Sequence, residues 1–485
     1  MMTDRTLHWF RNDLRLADNP ALAAAAEAGP VLCLYILDTG TDRRPLGGAS
    51  RWWLSRSLAT LSEALAAQGD RLVLTKGDPA TLLPRIVTEA DIGLVTWNRR
   101  YEAAEIALDR KLKEDLSGRG ITVRSFNSHL LNEPWQVTTT TGQPMKVFTP
   151  YWRAARQKGE PDAPIPAPAR IQALPLPASI EALTVSLDDL GLEPTKPDWA
   201  GGLRTEWTPG EAGAAERLDD FIGGGLAGYA ENRDRPDRAA TSRLSPHLHF
   251  GEIGPRQVWH ALQHAHAAGE AAGSERDAEK FLSEIGWREF SHHLLFHNPE
   301  LATRNYDSRF DAFPWQPDDK ALRRWQRGLT GIPLVDAGMR ELWTTGWMHN
   351  RVRMVVASFL IKHLLQDWRA GEAWFWDTLV DADAANNAAS WQWVAGSGAD
   401  ASPYFRIFNP VTQGETHDPK GAYVRRWVPE LAGLSDKDIH QPWKASEKAL
   451  REAGVRIGET YPAPLVDLAF GRQRALDAFA AIRSS

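Results

Sequence analysis

Four stretches of the chain gather side chains whose types and spacing are suited to chemistry. Residues 241–252 read TSRLSPHLHFGE, so Thr241, Ser242 and Ser245 put three hydroxyls within five residues, with Arg243 among them. Hydroxyls and backbone N–H groups at a turn hold phosphate oxygens; the same residues before Pro246 also read as an ordinary helix start. Residues 284–291 read EIGWREFS. On a helix, Glu284, Trp287 and Arg288 share a face, which suits a flat polar ring or, equally, a plain amphipathic helix. Residues 346–354 read GWMHNRVRM. With a helix from His349, Asn350, Arg353 and Met354 fall together, and an amide, a guanidinium and a thioether suit a polar heteroaromatic ligand. Met354 alone is also ordinary core filler. Residues 381–393 read DADAANNAASWQW: two acids, two amides and two Trp with small residues between, which let backbone approach a ligand closely. Asp381 is a candidate ion-pair partner for an arginine such as Arg353. Neither metal-ligand spacing, a nucleophile elbow nor a Walker loop stands out.

Periodicity shows the elements that must carry these groups. Short apolar runs at 7–10, 31–37, 71–74, 94–97 and 121–126 alternate with helix-like segments at 20–28, 50–68, 79–89 and 103–116. Strands alternating with helices imply right-handed crossovers and a parallel sheet. Residues 1–130 are therefore expected to form an open, Rossmann-like α/β domain, with any ligand beyond the carboxyl ends of its strands. No G-x-G-x-x-G follows the first strand, so a standard dinucleotide site there is unsupported. Residues 160–198 carry eight of the 31 prolines. Proline interrupts helices and sheets, so a long interdomain linker is expected over 131–211. Residues 212–485 read as an all-helical domain, with segments at 213–222, 255–268, 275–296, 320–328, 335–345, 350–368 and 374–379.

The composition, 43% hydrophobic and 24% charged over 485 residues, is that of a soluble globular protein. A formal charge of −6 gives no global sign of a nucleic-acid binder. Any basic patch must be assembled by the fold, from residues such as Arg233, Arg351 and Arg406. The single cysteine, Cys33, excludes an intrachain disulfide framework, a Cys-rich zinc module and a four-cysteine iron–sulfur site. It fits a reducing cytoplasm. The N-terminus lacks an export signal, and no apolar run reaches the roughly 18 residues of a membrane span, so a cytoplasmic protein is expected. Tryptophan is abundant, 21 against 8 Tyr and 16 Phe. That points to a large core, a platform for flat ligands or a relay for electrons.

Taken in order, TSRLSPHLHFGE, EIGWREF, GWMHNRVRM and DADAANNAASWQW, followed by PYFRIFNP at 403–410, resemble the photolyase/cryptochrome family. LHWFRNDLRLADNPAL at 7–22 resembles its α/β domain, so the likeness runs nearly end to end. The resemblance implies a helical domain holding FAD and an α/β domain able to hold an antenna chromophore. By matching motif positions, Tyr229, Thr241, Ser242, Arg243, Leu244 and Ser245 bind the FAD phosphates and neighbouring groups. Asp381, Ala382 and Asp383 lie along the flavin, Asn387 faces its N5 and Arg353 pairs with Asp381.

Within the family, Asn350 and Met354 match cyclobutane-dimer photolyases, whereas (6-4) enzymes carry His at both places. The implied activity is light-driven repair of cyclobutane pyrimidine dimers in DNA by an electron from photoexcited reduced FAD. Glu284, Asn350 and Met354 meet the flipped-out dimer, Trp287 and Trp393 pack on it, and Arg233 and Arg351 contact phosphates. Trp391, Trp368 and Trp315 map onto the family's electron relay. The alternative is a blue-light photoreceptor of the cryptochrome type, although the chain ends soon after its last helix-like segment, without a long signalling tail. UV-damaged DNA is the expected partner of a monomer. The antenna is open between folate, deazaflavin and none, because Ala104 and Glu105 stand where folate users show Asn-Glu, and Ala302 and Thr303 where a Lys is expected.

Overall fold

A computed structural model describes residues 4–40, 43–400 and 405–483; Pro403 and Tyr404 of the PYFRIFNP motif lie outside the described residues. Its first part is a parallel five-stranded sheet of β1 (Thr6–Phe10), β2 (Val31–Asp38), β3 (Leu72–Gly77), β4 (Leu94–Asn98) and β5 (Thr122–Phe126). The strand order is β3-β2-β1-β4-β5. Leu7 pairs with both Leu32 and Val95, so β1 lies at the centre and the order reverses on either side of it. Four helices connect the strands: α1 (Pro20–Ala28), α2 (Gly48–Ala67), α3 (Pro79–Glu89) and α4 (Ala103–Gly118). Two of them start on sequence-encoded caps. Asn19 accepts from the Leu22 N–H ahead of α1, and Asp78 accepts from the Ala80 N–H ahead of α3, each with proline in the first turn. Trp9, Leu34 and Ile86 fill one face of the sheet; Phe10, Trp53 and Leu58 fill the other. Burial on both faces explains the uninterrupted apolar runs.

The proline-rich stretch is not bare chain. It is preceded by α5 (Phe148–Arg156), and short helices lie at Ala178–Glu181 and Gly201–Glu206. The helical part includes α6 (Glu211–Asp220), α7 (Tyr229–Asn232), α8 (Ser245–Phe250), α9 (Pro255–Ala268), α10 (Glu275–His297), α11 (Pro333–Thr345), α12 (Asn350–Ser358), α13 (Trp368–Thr378), α14 (Ala384–Ala395) and α15 (Leu468–Arg483). The core on the Phe10 face continues into Phe250, Trp347 and Val380, so the sheet and the helices share buried surface.

The single helix expected over 350–368 is not what forms. α12 ends at Ser358, a wide turn follows at Phe359–His363, and a new helix begins at Trp368. Leu365 takes a left-handed φ of 53° between them. Asp367 caps α13 by accepting from the Arg369 N–H at 2.9 Å. Apolar periodicity continues through the break because both segments face one core, and an Asp followed by Trp carries little signal of a new helix start. A similar wide turn at Phe221–Gly225 ends α6.

Candidate functional site

The geometry centres on α14, which packs against α10, α12 and α13, while α7 packs against α10. Asp383 caps α14: its carboxylate accepts from the Asn386 N–H and from Asn386 Nδ2, both at 2.6 Å. Burial pushes this carboxyl up, but His292, His249 and the Asn386 donors outweigh it and hold it below the ordinary Asp value. Two residues earlier, Asp381 Oδ2 accepts from Ser245 Oγ at 2.6 Å and from Arg353 Nη2 at 2.8 Å. The pairing of Asp381 with Arg353 expected from sequence is therefore present, and it ties α8 and α12 to the segment leading into α14. Asp381 Oδ1 is buried with no protein partner. A buried carboxylate oxygen without a donor is costly, so a ligand N–H is the natural occupant of that position.

The other candidates near this carboxylate divide by what their side chains do. Thr241 and Ser242 are half-buried and Ser245 is exposed. Leu244 is core, and Ala382 is buried. Arg243 has a left-handed φ of 54°, and its guanidinium lies over Trp207 and Trp347 at 4.4 and 4.6 Å while pairing with Glu206. Its side chain is thus engaged in structure, and the turn it bends sets the neighbouring hydroxyls. Tyr229 is buried against Phe221 and Phe281. Asn387 Nδ2 donates to Glu372 Oε1 at 2.8 Å and to the Glu372 carbonyl at 3.1 Å, which fixes the amide plane. Glu372 in turn accepts both Nη groups of Arg44, at 2.8 and 3.0 Å.

A second group lies on α7, α10, α12 and α14. Arg233, just past α7, pairs with Glu284 of α10, and Lys280 approaches the same carboxylate at 3.3 Å. Asp234 Oδ2 accepts from Arg351 Nη2 at 2.6 Å, with Arg233 Nε 3.8 Å from its other oxygen. One run of alternating charge therefore joins Glu284, Arg233 and Arg351. Asn350 and Met354 lie one turn apart on α12, with Asn350 exposed and Met354 half-buried. Trp287 stacks on Phe148 of α5, with centroids 3.8 Å apart. Gly286 lets α10 lie close to α5 at Trp152, since a Cβ there would sit 2.6 Å from that ring. Trp393 is half-buried, its Nε1 donates to the Asp400 carbonyl at 3.1 Å, and Arg406 lies 5.8 Å from its ring.

The three relay candidates share one core cluster, in which Trp391 and Trp368 are buried and Trp315 is half-buried at the edge. The Trp391 ring crosses α13 at Gly371, where a Cβ would sit 2.1 Å from it. Trp368 Nε1 donates to Asn305 Oδ1 at 2.9 Å. Trp325, 6.2 Å from Trp391, was not singled out from sequence; nothing in its surroundings there marks it.

Beyond the carboxyl ends of β1, β4 and β5 lies a polar cavity, lined among others by Asn98, Arg100, Glu102, Glu105, His292 and Asp383. It faces the reversal in strand order, where open α/β sheets bind ligands. Glu105 is already paired with Arg43 and, at 3.0 Å, with Arg100. Among the described residues, no group of three or more His, Cys, Asp or Glu is placed to hold a metal ion, and no helix is long and apolar enough to cross a membrane.

Comparison with known proteins decides what this arrangement belongs to. Residues 6–169 match the family model for DNA photolyase, and residues 281–481 match that for the FAD binding domain of DNA photolyase. A deoxyribodipyrimidine photo-lyase of Agrobacterium fabrum is 53% identical over 100% of this chain and 99% of its own. The chain belongs to the DNA photolyase family. Cryptochrome-1 of Arabidopsis thaliana is 40% identical over 97% of this chain and 69% of its own length. In structure, a bacterial class III photolyase from Agrobacterium tumefaciens superposes with a TM-score of 0.95 at 52% identity, covering 100% of this chain and 99% of that one.

FAD is thus this photolyase-family enzyme's cofactor, and the residues present fit it. The unpartnered Asp381 Oδ1 suits a ring N–H, and the Thr241 and Ser242 hydroxyls suit phosphate oxygens, while the Ser245 hydroxyl is given to Asp381. Sequence reasoning missed Glu372, Arg44 and Asp234. Glu372 and Arg44 come together across 328 residues, and no local pattern announces that. Asp234 stood next to Arg233 and was overlooked because an acid beside an arginine reads as a solvated surface pair.

Proposed function

We propose that the chain repairs cyclobutane pyrimidine dimers in DNA under light. The observation that carries this reading is the alternating run of Glu284, Arg233, Asp234 and Arg351. It joins the residue expected to touch the dimer to the two expected to touch phosphates. Bound FAD supplies light absorption and the electron chemistry. The rest is positioning by the chain. A damaged pair is inexpensive to unstack, so the dimer leaves the duplex for the pocket. Glu284 hydrogen-bonds its polar edge where charge develops. The Asn350 amide meets a ring carbonyl, and the Met354 thioether packs on the apolar cyclobutane carbons. Trp287, braced by Phe148, and Trp393 stack on the bases, a contact worth about 1–3 kcal/mol per base. Arg353 holds Asp381, Asp383 shapes the start of α14 and Glu372 fixes Asn387, so that Asp381 and Asp383 would lie along the flavin and Asn387 would face its N5. Tyr229 and the turn that carries Thr241 and Ser242 would hold the phosphates and neighbouring groups, with Ser245 bracing Asp381.

The test is a thymine-dimer oligonucleotide illuminated with dithionite-reduced protein. Dimers are expected to disappear in blue light and persist in the dark. Glu284→Ala is expected to lower repair per absorbed photon with FAD content unchanged; loss of FAD would instead place Glu284 in the flavin shell. A second reading, a light receptor without repair, is favoured by the 40% identity to Cryptochrome-1. It wins if the wild-type protein leaves dimers intact. A second chromophore, folate or deazaflavin, would show in the absorption spectrum of the purified protein.

A further inference from the structure

We infer that Asp234 is an intramolecular counter-ion that stands in for a DNA phosphate between Arg233 and Arg351 and sets the ionic part of DNA affinity. The inference rests on the DNA reading above. Its basis is the bridging geometry: Asp234 Oδ2 lies 2.6 Å from Arg351 Nη2, and Oδ1 lies 3.8 Å from Arg233 Nε. Two oxygens of one anion shared between two guanidiniums is also how a phosphodiester is held. The Asp234 side chain is 35% exposed, against 13% for Arg233 and 18% for Arg351, so the carboxylate sits where an incoming strand would arrive.

The surroundings keep this carboxylate charged. Burial works against it, but Arg351, then Arg233 and His417, hold it below the ordinary Asp range. Glu284 takes the other arm of Arg233, and the His349 ring faces the cluster from the start of α12. Two acids, Asp234 and Glu284, therefore face Arg233, Arg351 and Lys280 at the very place a phosphate contact is needed. That arrangement has two opposed effects. The counter-ion holds both arginine side chains in place, which lowers the ordering cost of binding. It also subtracts attraction from every DNA, damaged or not.

The experiment is equilibrium binding of holoprotein to a dimer-bearing duplex and to the same duplex undamaged, across salt. Asp234→Asn keeps the shape and removes the charge. It is expected to tighten binding to both DNAs by about fivefold at low salt, the Coulomb scale for one charge at contact distance in water. The gain is expected to shrink as salt rises. In the background of Arg351→Ala the gain should be much reduced, because the released charge acts on that guanidinium. Asp234→Ser, shorter and also uncharged, should tighten binding in the same direction. Unchanged or weaker binding by both Asp234 variants overturns the inference. A wild-type protein that does not prefer dimer-bearing DNA sinks the repair reading instead, while the undamaged duplex still tests Asp234.

Discussion

Trp391 is where the proposed relay meets the strongest local constraint. Its ring is wedged between Phe375, at 5.0 Å, and Trp325, with Gly371 beneath it. Indole is readily oxidised, and closely spaced rings permit short electron hops. Trp391→Phe keeps an aromatic filler, so the packing loss is small. Photoreduction of oxidised FAD by light and an external reductant should then largely fail, read as persistence of the oxidised-flavin band. Repair by protein reduced beforehand with dithionite should persist, because that electron starts on the cofactor. Normal photoreduction would reduce Trp391 to core. The meeting at Asp381 was legible in the sequence because its members sit in short ordered motifs. Asp381, Arg353 and Ser245 come from three of those motifs and meet at one carboxylate. Glu372 and Arg44 were not legible, since neither lies in a motif and their pairing exists only once the fold brings α13 against α2.

At the scale of elements, the break before α13 is what makes room for that ring. The wide turn at Phe359–His363 also directs Lys362 inward, where its amine donates to the Ala395 carbonyl at 2.5 Å near the end of α14. Gly371→Ala puts a methyl group into the indole. Overpacking of this kind costs about 1–3 kcal/mol. The expected outcome is a lower melting temperature together with slowed photoreduction, since the ring must shift. A variant that melts lower but photoreduces as wild type would show that the relay tolerates the shift. The break was hidden because apolar periodicity reports which face is buried, not where the chain stops turning. The sheet was easier to read: its strands are buried on both faces, and Asn19 and Asp78 mark helix starts by residue type alone.

At the scale of the whole molecule, buried titratable groups set a pH window. Burial pushes Glu289 and Glu341 up to about 7 and Glu102 above the ordinary Glu value. A raised carboxyl adds stability that is full below its unfolded pKa, near 4.5, and is lost as pH rises through its folded value. Burial also lowers His292, His293, His349 and His363 to about 4. Their contribution is full above the unfolded 6.5 and is lost as pH falls toward 4. The melting temperature is therefore expected to peak near pH 6.5, fall steeply into acid and decline gently toward pH 8. Glu341→Gln should flatten the alkaline decline in a thermal-melt series. A curve rising steadily to pH 8 would show that these carboxyls are ionised in the folded protein.

The bidentate link from Arg44 to Glu372 bears on how the chain can be dissected. The proline-rich stretch looks like a convenient place to cut, as though it strung together two independent beads. Yet the helical half carries a buried Glu372 whose counter-ion lies in the other half. Expressed alone, that half would lose both the arginine that holds Glu372 and the α2 surface packed over it, leaving the carboxylate free to turn into water. The same carboxylate fixes Asn387. A truncated helical half thus starts life with its cofactor pocket already disturbed, and any loss of flavin it shows would report the missing arginine before it reported on the fold.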